Sequence, residues 1–142
     1  MIAKQFHSTS VVIEDLGVLI RGKSGIGKSD LALRLIDSGA TLISDDVTIC
    51  KKIGDYLYLY PHSDARGLLE VREIGIMTVP YVENIKLTLV VELVEQKLER
   101  IPRMMSCNIL GVKFPKIKIF GKSSSAAAKI KIKLNQLRSY VQ

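Results

Sequence analysis

Cysteine is scarce in this sequence of 142 residues, and the two thiols, Cys50 and Cys107, are far apart. Neither belongs to a Cys-x-x-Cys pair, so the sequence predicts no disulfide framework and no zinc cluster. We expect both cysteines to be buried free thiols.

Long hydrophobic runs are also missing. The apolar stretch LTLVVELV at residues 87–94 contains a glutamate and is far shorter than the roughly 20 residues that a membrane span requires. The N-terminal segment MIAKQFHSTSVVIEDL lacks the apolar core of a secretory signal. The sequence therefore predicts a soluble protein of the cytoplasm without a membrane partner.

Aromatic residues make up only 6% of the chain, although its formal net charge is +7. The basic residues are scattered, and the segment KIKIKLNQLR near the C-terminus carries much of the excess. This pattern argues against a nucleic-acid partner, whereas a basic surface also suits ATP or an acidic protein. No repeat is visible, and 47% apolar residues are enough for one core, so we expect a single domain over residues 1–142.

The apolar pattern predicts an α/β fold. A helix is predicted at 28–38, with Gly39 at its C-terminal end. A second helix is predicted after Ser124 or Ser125, from Ile130, Leu134, Leu137 and Val141, although the alternation in KIKIKL also fits a strand. The predicted strands lie at 10–14, 17–21, 40–44, 47–50, 56–61 and 85–93, with one or two more in 68–79 around Gly75.

Residues 22–29, GKSGIGKS, match the P-loop pattern G-x-x-x-x-G-K-[ST] between a predicted strand and a predicted helix. The glycines allow a tight turn whose backbone N–H groups form an anion site at a helix N-terminus. Lys28 is expected to reach the outer phosphates of ATP and Ser29 to bind Mg²⁺. The predicted nucleotide-binding residues are Gly22, Lys23, Ser24, Gly25, Ile26, Gly27, Lys28 and Ser29.

Two adjacent carboxylates, Asp45 and Asp46, follow the apolar segment TLIS, 16 and 17 residues after Ser29. We expect one of them to hold Mg²⁺, directly or through water, and the other to take a proton from an attacking hydroxyl. Neighbouring residues of a strand point to opposite faces, so both reach the site only if the strand has ended. The sequence does not divide the two roles within the pair.

The ordered series HS, GKSGIGKS, SDD and LLEVREIGI, with His7 fifteen residues before Gly22, resembles the catalytic domain of bacterial HPr kinase/phosphorylase. The likeness runs from about residue 5 to residue 120. Members of that family use ATP to phosphorylate a serine of the carrier protein HPr, and inorganic phosphate to remove it with release of pyrophosphate. The resemblance implies a P-loop domain related to phosphoenolpyruvate carboxykinase, with a mixed sheet and flanking helices, assembled as a hexamer.

The resemblance also implies roles for single residues. Asp46 would accept the proton in phosphorylation and return it in the reverse reaction, assisted by Asp45. His7 would match the family's histidine before the loop, and Glu70 its second metal ligand. Arg100 would match the family's arginine at the end of the KL segment, as a further catalytic residue beside the P-loop lysine.

The sequence departs from the family in three places. Only six residues precede His7, so the family's N-terminal domain is expected to be absent, as in short versions from some proteobacteria. Ser8 and Glu73 stand where the family usually has glycine. The segment IFGKSSSAAAK replaces an Arg-Pro-Gly-Arg-Asn type segment linked to dephosphorylation, and its Lys122 lacks the bidentate fork of an arginine. The sequence therefore predicts a kinase and leaves phosphorylase activity open.

The main hypothesis is a Mg²⁺- and ATP-dependent serine kinase acting on HPr or a nitrogen-pathway relative. One alternative is a regulatory module that binds nucleotide without transferring phosphate. Such a module would keep the loop but would have no use for Asp45, Asp46 and Glu70. The other alternative is a kinase for a small metabolite, which would act without a protein acceptor.

Overall fold

The structure, a computed structural model, describes residues 2–96 and 98–141. Two α-helices, α1 (Lys28–Asp37) and α2 (Ala126–Val141), and a 3-10 helix (Ser63–Ala65) accompany the strands. The strands are β1 (Ile2–Phe6), β2 (Thr9–Ile13), β3 (Leu16–Arg21), β4 (Thr41–Ser44), β5 (Thr48–Ile53), β6 (Tyr56–Pro61), β7 (Leu68–Val71), β8 (Gly75–Thr78), β9 (Ile85–Val94), β10 (Met105–Ile109) and β11 (Val112–Phe120).

Most of the strands join one large mixed sheet, which confirms the predicted fold class. Its main path runs β1-β5-β6-β9-β3-β2-β4, while β11 pairs with β9 and β10 with β11. Strand β9 lies parallel to β3 and β11, and the other pairs are antiparallel. Strands β7 and β8 form a separate antiparallel hairpin. The P-loop leaves this sheet at the end of β3, the central strand beside β9.

Two apolar clusters hold the layers together. The first lies between the helices and the sheet, where Leu31 and Leu35 of α1 and Ile130 of α2 are fully buried. The second lies on the other side of the sheet, around Leu19 of β3 and Leu59 of β6. Because both helices pack onto the first cluster, they cover the same side of the sheet, and α1 is fixed beside β3.

The last helix settles the choice between helix and strand that KIKIKL leaves open. In a strand, residues 130, 132 and 134 would share one face. In the structure Ile130 and Leu134 are buried, whereas Ile132 is 71% exposed, as helical spacing requires. The carbonyl of Ser125 accepts the first helical bond, from Lys129 N–H at 2.9 Å, so Ser125 precedes the helix as predicted. The side chain of Val141 lies outside the described part of the chain.

The other predicted elements are confirmed, with 68–79 divided into two strands. Strands β1, β10 and β11 are not predicted from the sequence. Strand β1 is almost wholly exposed, and β11 carries Pro115 and three lysines, so neither has a clear apolar alternation. Across the described residues, neither helix is both long enough and apolar enough to cross a bilayer.

Candidate active site

Residues 22–29 form the loop between β3 and α1. Gly25 and Gly27 have φ angles of 81° and 109°, in the left-handed region that favours glycine. A Cβ at either position would meet no atom within 4 Å, so open space adjoins both. Gly27 is the N-cap of α1 and no side chain caps the helix. The N–H groups of the first turn are therefore available to an anion such as phosphate.

Lys28 is buried against this loop. Its Nζ donates hydrogen bonds to the carbonyl oxygens of Gly22 at 2.7 Å and Lys23 at 3.0 Å. The ammonium group is therefore held beside the loop amides, where it adds to their attraction for phosphate. The side chain of Lys23 instead forms an exposed ion pair with Glu95 at 2.8 Å.

Asp45 lies just beyond the end of β4 and is only 6% exposed. Its Oδ1 accepts hydrogen bonds from the hydroxyls of Ser29 at 2.7 Å and Thr9 at 2.9 Å. Its Oδ2 accepts from the backbone N–H of Glu70 at 3.0 Å. One carboxylate thus joins the P-loop helix, β2 and β7, and three hydrogen bonds offset the cost of its burial.

Asp46 differs from its neighbour in both exposure and backbone. It is exposed, lines the cavity described below, and has a φ of 68°. Its N–H donates to Thr9 Oγ1 at 3.3 Å. A non-glycine residue held in the left-handed region stores strain, which is common at functional sites. Strand β4 has ended before the pair, as both carboxylates require to reach the site.

A cavity of about 1050 Å³ opens in front of the P-loop. It brings together most of the predicted residues, and Asp45 lies behind them, bonded to Ser29. The P-loop contributes Gly22, Ser24, Gly25, Ile26, Gly27, Lys28 and Ser29, and the rest of the lining is His7, Thr9, Asp30, Leu33, Arg34, Asp46, Glu70, Val71, Arg72, Glu73, Gly121 and Lys122.

Arg100 does not line this cavity. It lines a second, smaller one of about 390 Å³, together with Lys118 and Lys129. Lys23 is also absent from the described lining of the main cavity because it turns toward Glu95. The structure does not bring either residue into the lining of the main cavity. Their predicted roles stay predictions.

Sequence reasoning missed Thr9 and Arg34. Thr9 is hydrogen-bonded to both Asp45 and Asp46, and Arg34 lines the cavity from the second turn of α1. No local pattern distinguishes a threonine in a short strand or an arginine in an amphipathic helix. Both acquire their positions through partners far away in the chain.

The donor set around Ser29 fits a magnesium ion bound with nucleotide. Mg²⁺ prefers oxygen ligands and keeps several waters, so one or two protein ligands and substrate phosphates satisfy it. The hydroxyl of Ser29 and the carboxylate of Glu70 supply such oxygens at the cavity. Within the described residues, no three His, Cys, Asp or Glu side chains are grouped to bind a metal on their own.

The thiols take no part in this site. Burial raises the pKa of Cys50 to about 12, so its thiol is protonated at neutral pH and is a poor nucleophile. Cys107 lies half-buried in β10, and both cysteines are free. The prediction of free thiols is confirmed, although Cys107 is less buried than expected.

Known proteins resemble the chain over most of its length. Residues 2–137 match the family described as HPr Serine kinase C-terminal domain. An HPr kinase/phosphorylase from Chlorobium limicola is 35% identical over 130 residues, which cover 82% of this chain and 39% of that protein. Another, from Clostridium acetobutylicum, is 45% identical over 76 residues, 54% of this chain and 25% of that protein. The chain thus spans about two fifths or less of these curated relatives.

A solved structure extends the likeness to nearly every residue. The structure of the Hpr(Ser) kinase/phosphatase from Coxiella burnetii matches with a TM-score of 0.85 and 30% sequence identity. The match covers 97% of this chain and 98% of that chain. It agrees with the mixed α/β architecture described above.

Proposed function

Because this chain belongs to the HPr Serine kinase C-terminal domain family, we propose that it is an ATP- and Mg²⁺-dependent kinase. Its acceptor in this proposal is a serine of HPr or a related phosphocarrier of the phosphotransferase system, and it works in the cytoplasm. The observation that carries the proposal is the exposed Asp46, which shares a cavity with the P-loop while Asp45 is bonded to Ser29.

The loop and α1 bind the nucleotide phosphates in this proposal. The N–H groups at the start of α1 meet the phosphate oxygens, and Lys28 neutralises part of their charge. Magnesium, held by Ser29 with Glu70 as second ligand, would add positive charge at the same oxygens. Phosphoryl transfer depends mainly on positioning and charge, which these groups supply.

The two aspartates have different roles in this proposal. Asp45 has both oxygens engaged by Ser29, Thr9 and Glu70, so it fixes the P-loop helix against β2 and β7. Asp46 is exposed at the cavity and acts as the general base. It takes the proton of the serine hydroxyl while that oxygen bonds to the γ-phosphorus and the bond from phosphorus to the ADP oxygen breaks. His7 lines the same cavity, and in this proposal it orients the acceptor.

The reverse reaction uses the same groups. Inorganic phosphate would attack the phosphoserine phosphorus, and Asp46 would return its proton to the leaving serine oxygen, so that pyrophosphate and free serine result. Arg100, which lines the neighbouring cavity, keeps its role as an assisting arginine in this proposal.

We also propose that the protein works as a homo-oligomer, a hexamer by resemblance. The β7–β8 hairpin supports self-association because Ile74 and Ile76 are each 69% exposed there. Light scattering at several protein concentrations measures the mass directly. A monomer at every concentration would contradict this part of the proposal.

The test of the kinase proposal is transfer of labelled phosphate from Mg²⁺-ATP to a purified HPr-type carrier. The decisive variant is Asp46→Asn, because asparagine also tolerates the left-handed backbone of this position. We expect its turnover number to fall at least about 100-fold, the usual contribution of a general base, with nucleotide affinity nearly unchanged. Asp37→Asn, at the far end of α1, is the matched control and should keep full activity.

Two further outcomes separate the alternatives. Adding excess inorganic phosphate to the labelled carrier tests the phosphorylase, which predicts labelled pyrophosphate. Tight ATP binding without labelling of the carrier would overturn the kinase proposal and favour the regulatory module. Transfer to a small metabolite with no carrier present would favour the third function.

A further inference from the structure

We propose that Arg34 is a positioning residue that fixes Lys122 as a second phosphate-binding cation of the cavity. Lys122 lies in the connection between β11 and α2, here called the 121–125 loop. The inference deepens the proposed function, on which it rests, because it assigns the phosphoryl groups of ATP or pyrophosphate as the ligand of Lys122.

The contact between α1 and the 121–125 loop is specific. Arg34 Nη2 donates to the carbonyl oxygen of Gly121 at 2.7 Å, and Nη1 donates to that of Ser123 at 3.0 Å. The two acceptors are the residues on either side of Lys122. Asp30, one turn earlier on α1, forms an ion pair with Arg34, with its Oδ2 3.3 Å from Arg34 Nε.

Lys122 itself is exposed and lines the same cavity as the P-loop. Within the described part of the chain it forms no ion pair with a carboxylate. Other nearby lysines are engaged, since Lys129 Nζ donates to Ser123 Oγ and Lys131 Nζ donates to Ser38 O. The ammonium group of Lys122 is therefore available to an anionic ligand of the cavity.

The 121–125 loop needs an external anchor. Its own backbone bonds are short-range, from Ser123 N–H to Phe120 O and from Ala126 N–H to Ser123 O, and its residues other than Lys122 are small. A guanidinium is planar and spans two acceptors at once, which a single ammonium group does not reproduce. Arg34 also belongs to the helix that begins at the P-loop, so one rigid element positions both Lys28 and the 121–125 loop.

The test is a double-mutant cycle on nucleotide and pyrophosphate binding, measured by calorimetric titration with ATP, ADP and pyrophosphate in turn. We expect Lys122→Met to weaken binding roughly tenfold, as loss of one charged contact to phosphate does. Arg34→Gln should weaken it by a similar factor, and Arg34→Lys should not restore it. In the Lys122→Met background, Arg34→Gln should cause no further loss.

The chain offers a matched control in Arg138. This arginine lies on α2, donates to the carbonyl oxygen of Glu14 at 2.7 Å and pairs with the Glu14 carboxylate at 3.4 Å, but it does not line the cavity. Arg138→Gln removes the same kind of contact and should leave phosphate affinity unchanged. Thermal unfolding of each variant shows whether the fold survives, and Lys122→Met leaves every described Arg34 contact in place.

Each outcome bears on the proposal. If Lys122→Met binds as tightly as the wild type, Lys122 does not contact phosphate and the inference is wrong. If Arg34→Gln weakens binding further in the double variant, Arg34 acts on the ligand directly and is not a positioning residue. If the wild type binds neither ATP nor pyrophosphate, both this inference and the proposed function are wrong. Wild-type binding with an unaffected Arg34→Gln variant overturns the inference alone.

Discussion

The cavity has two kinds of lining, and they arise in different ways. Gly22 and residues 24–30, the P-loop lining, lie close together in the chain. The assembled lining consists of His7, Thr9, Asp46, residues 70–73 and residues 121–122, which come from distant parts of the chain. Local backbone geometry shapes the first lining, whereas contacts between elements hold the second. Substitution of a P-loop residue should therefore affect ligand binding, whereas loss of a contact that holds the assembled lining in place should affect stability.

The largest effect is expected from Lys28→Met in the P-loop lining. Loss of the buried ammonium group should weaken ADP binding about 100-fold, because charged hydrogen bonds to phosphate are among the strongest in proteins. The matched control is Lys23→Met, whose ammonium group faces Glu95 on the surface, and it should change affinity less than about threefold. Titration calorimetry measures both affinities. Equal losses of ADP affinity in the two variants would contradict the different roles of the two lysines.

A loss of stability is expected from Asp45→Ala, because Asp45 connects the assembled lining to the P-loop through its hydrogen bonds. The change leaves the hydroxyls of Ser29 and Thr9 and the N–H of Glu70 without their shared acceptor. We expect the free energy of unfolding to fall by about 2–3 kcal/mol. Urea denaturation measures this, and Asp46→Asn should change it by less than about 0.5 kcal/mol because that side chain is exposed. Equal losses at the two positions would contradict the division of roles.

A smaller effect, of opposite sign, is expected at the hairpin of the assembled lining. Glu73 connects β7 to β8 with a φ of 75°, which costs energy in any residue with a Cβ. Glu73→Gly should raise the free energy of unfolding by about 1 kcal/mol. Glu83→Gly, where φ is not positive, should lower it by about 0.5–1 kcal/mol through backbone entropy. Destabilisation by both changes would show that the hairpin is not strained.

The smallest effect at neutral pH concerns Cys50, which lies in the second apolar cluster on β5, the strand that directly follows the Asp46 bend. Its folded pKa of about 12 lies above the usual value near 8.5, so the folded chain keeps a proton that the unfolded chain releases. This contribution to stability is complete below about pH 8.5 and is lost as the pH rises toward 12. Across this pH range, the free energy of unfolding should fall less steeply with pH for Cys50→Ala than for Cys107→Ala. Denaturation curves recorded at several pH values measure this slope. An identical slope for the two variants would contradict the raised pKa of Cys50.

How much of the site can be predicted from the sequence also differs between the P-loop lining and the assembled lining. The P-loop was predictable because its glycines, Lys28 and Ser29 are adjacent and their conformations depend on their own side chains. The residue pattern also shows that both carboxylates reach the site only if β4 ends before them, but the roles within the pair come from the family resemblance and not from the pattern. Burial supports the proposed division of roles, since Asp45 accepts three hydrogen bonds and Asp46 lines the cavity.

By itself, the sequence determined the α/β order of elements, the P-loop and the position of the carboxylate pair, because these depend on local spacing and on residues close in the chain. Only the tertiary structure decided that Thr9 and Glu70 donate hydrogen bonds to Asp45. It also decided that Arg34 donates hydrogen bonds to the 121–125 loop, to residues 87 and 89 positions away in the chain. Such contacts carry no local signal, since they form only when sheet pairing and helix packing bring distant backbone groups within hydrogen-bonding distance.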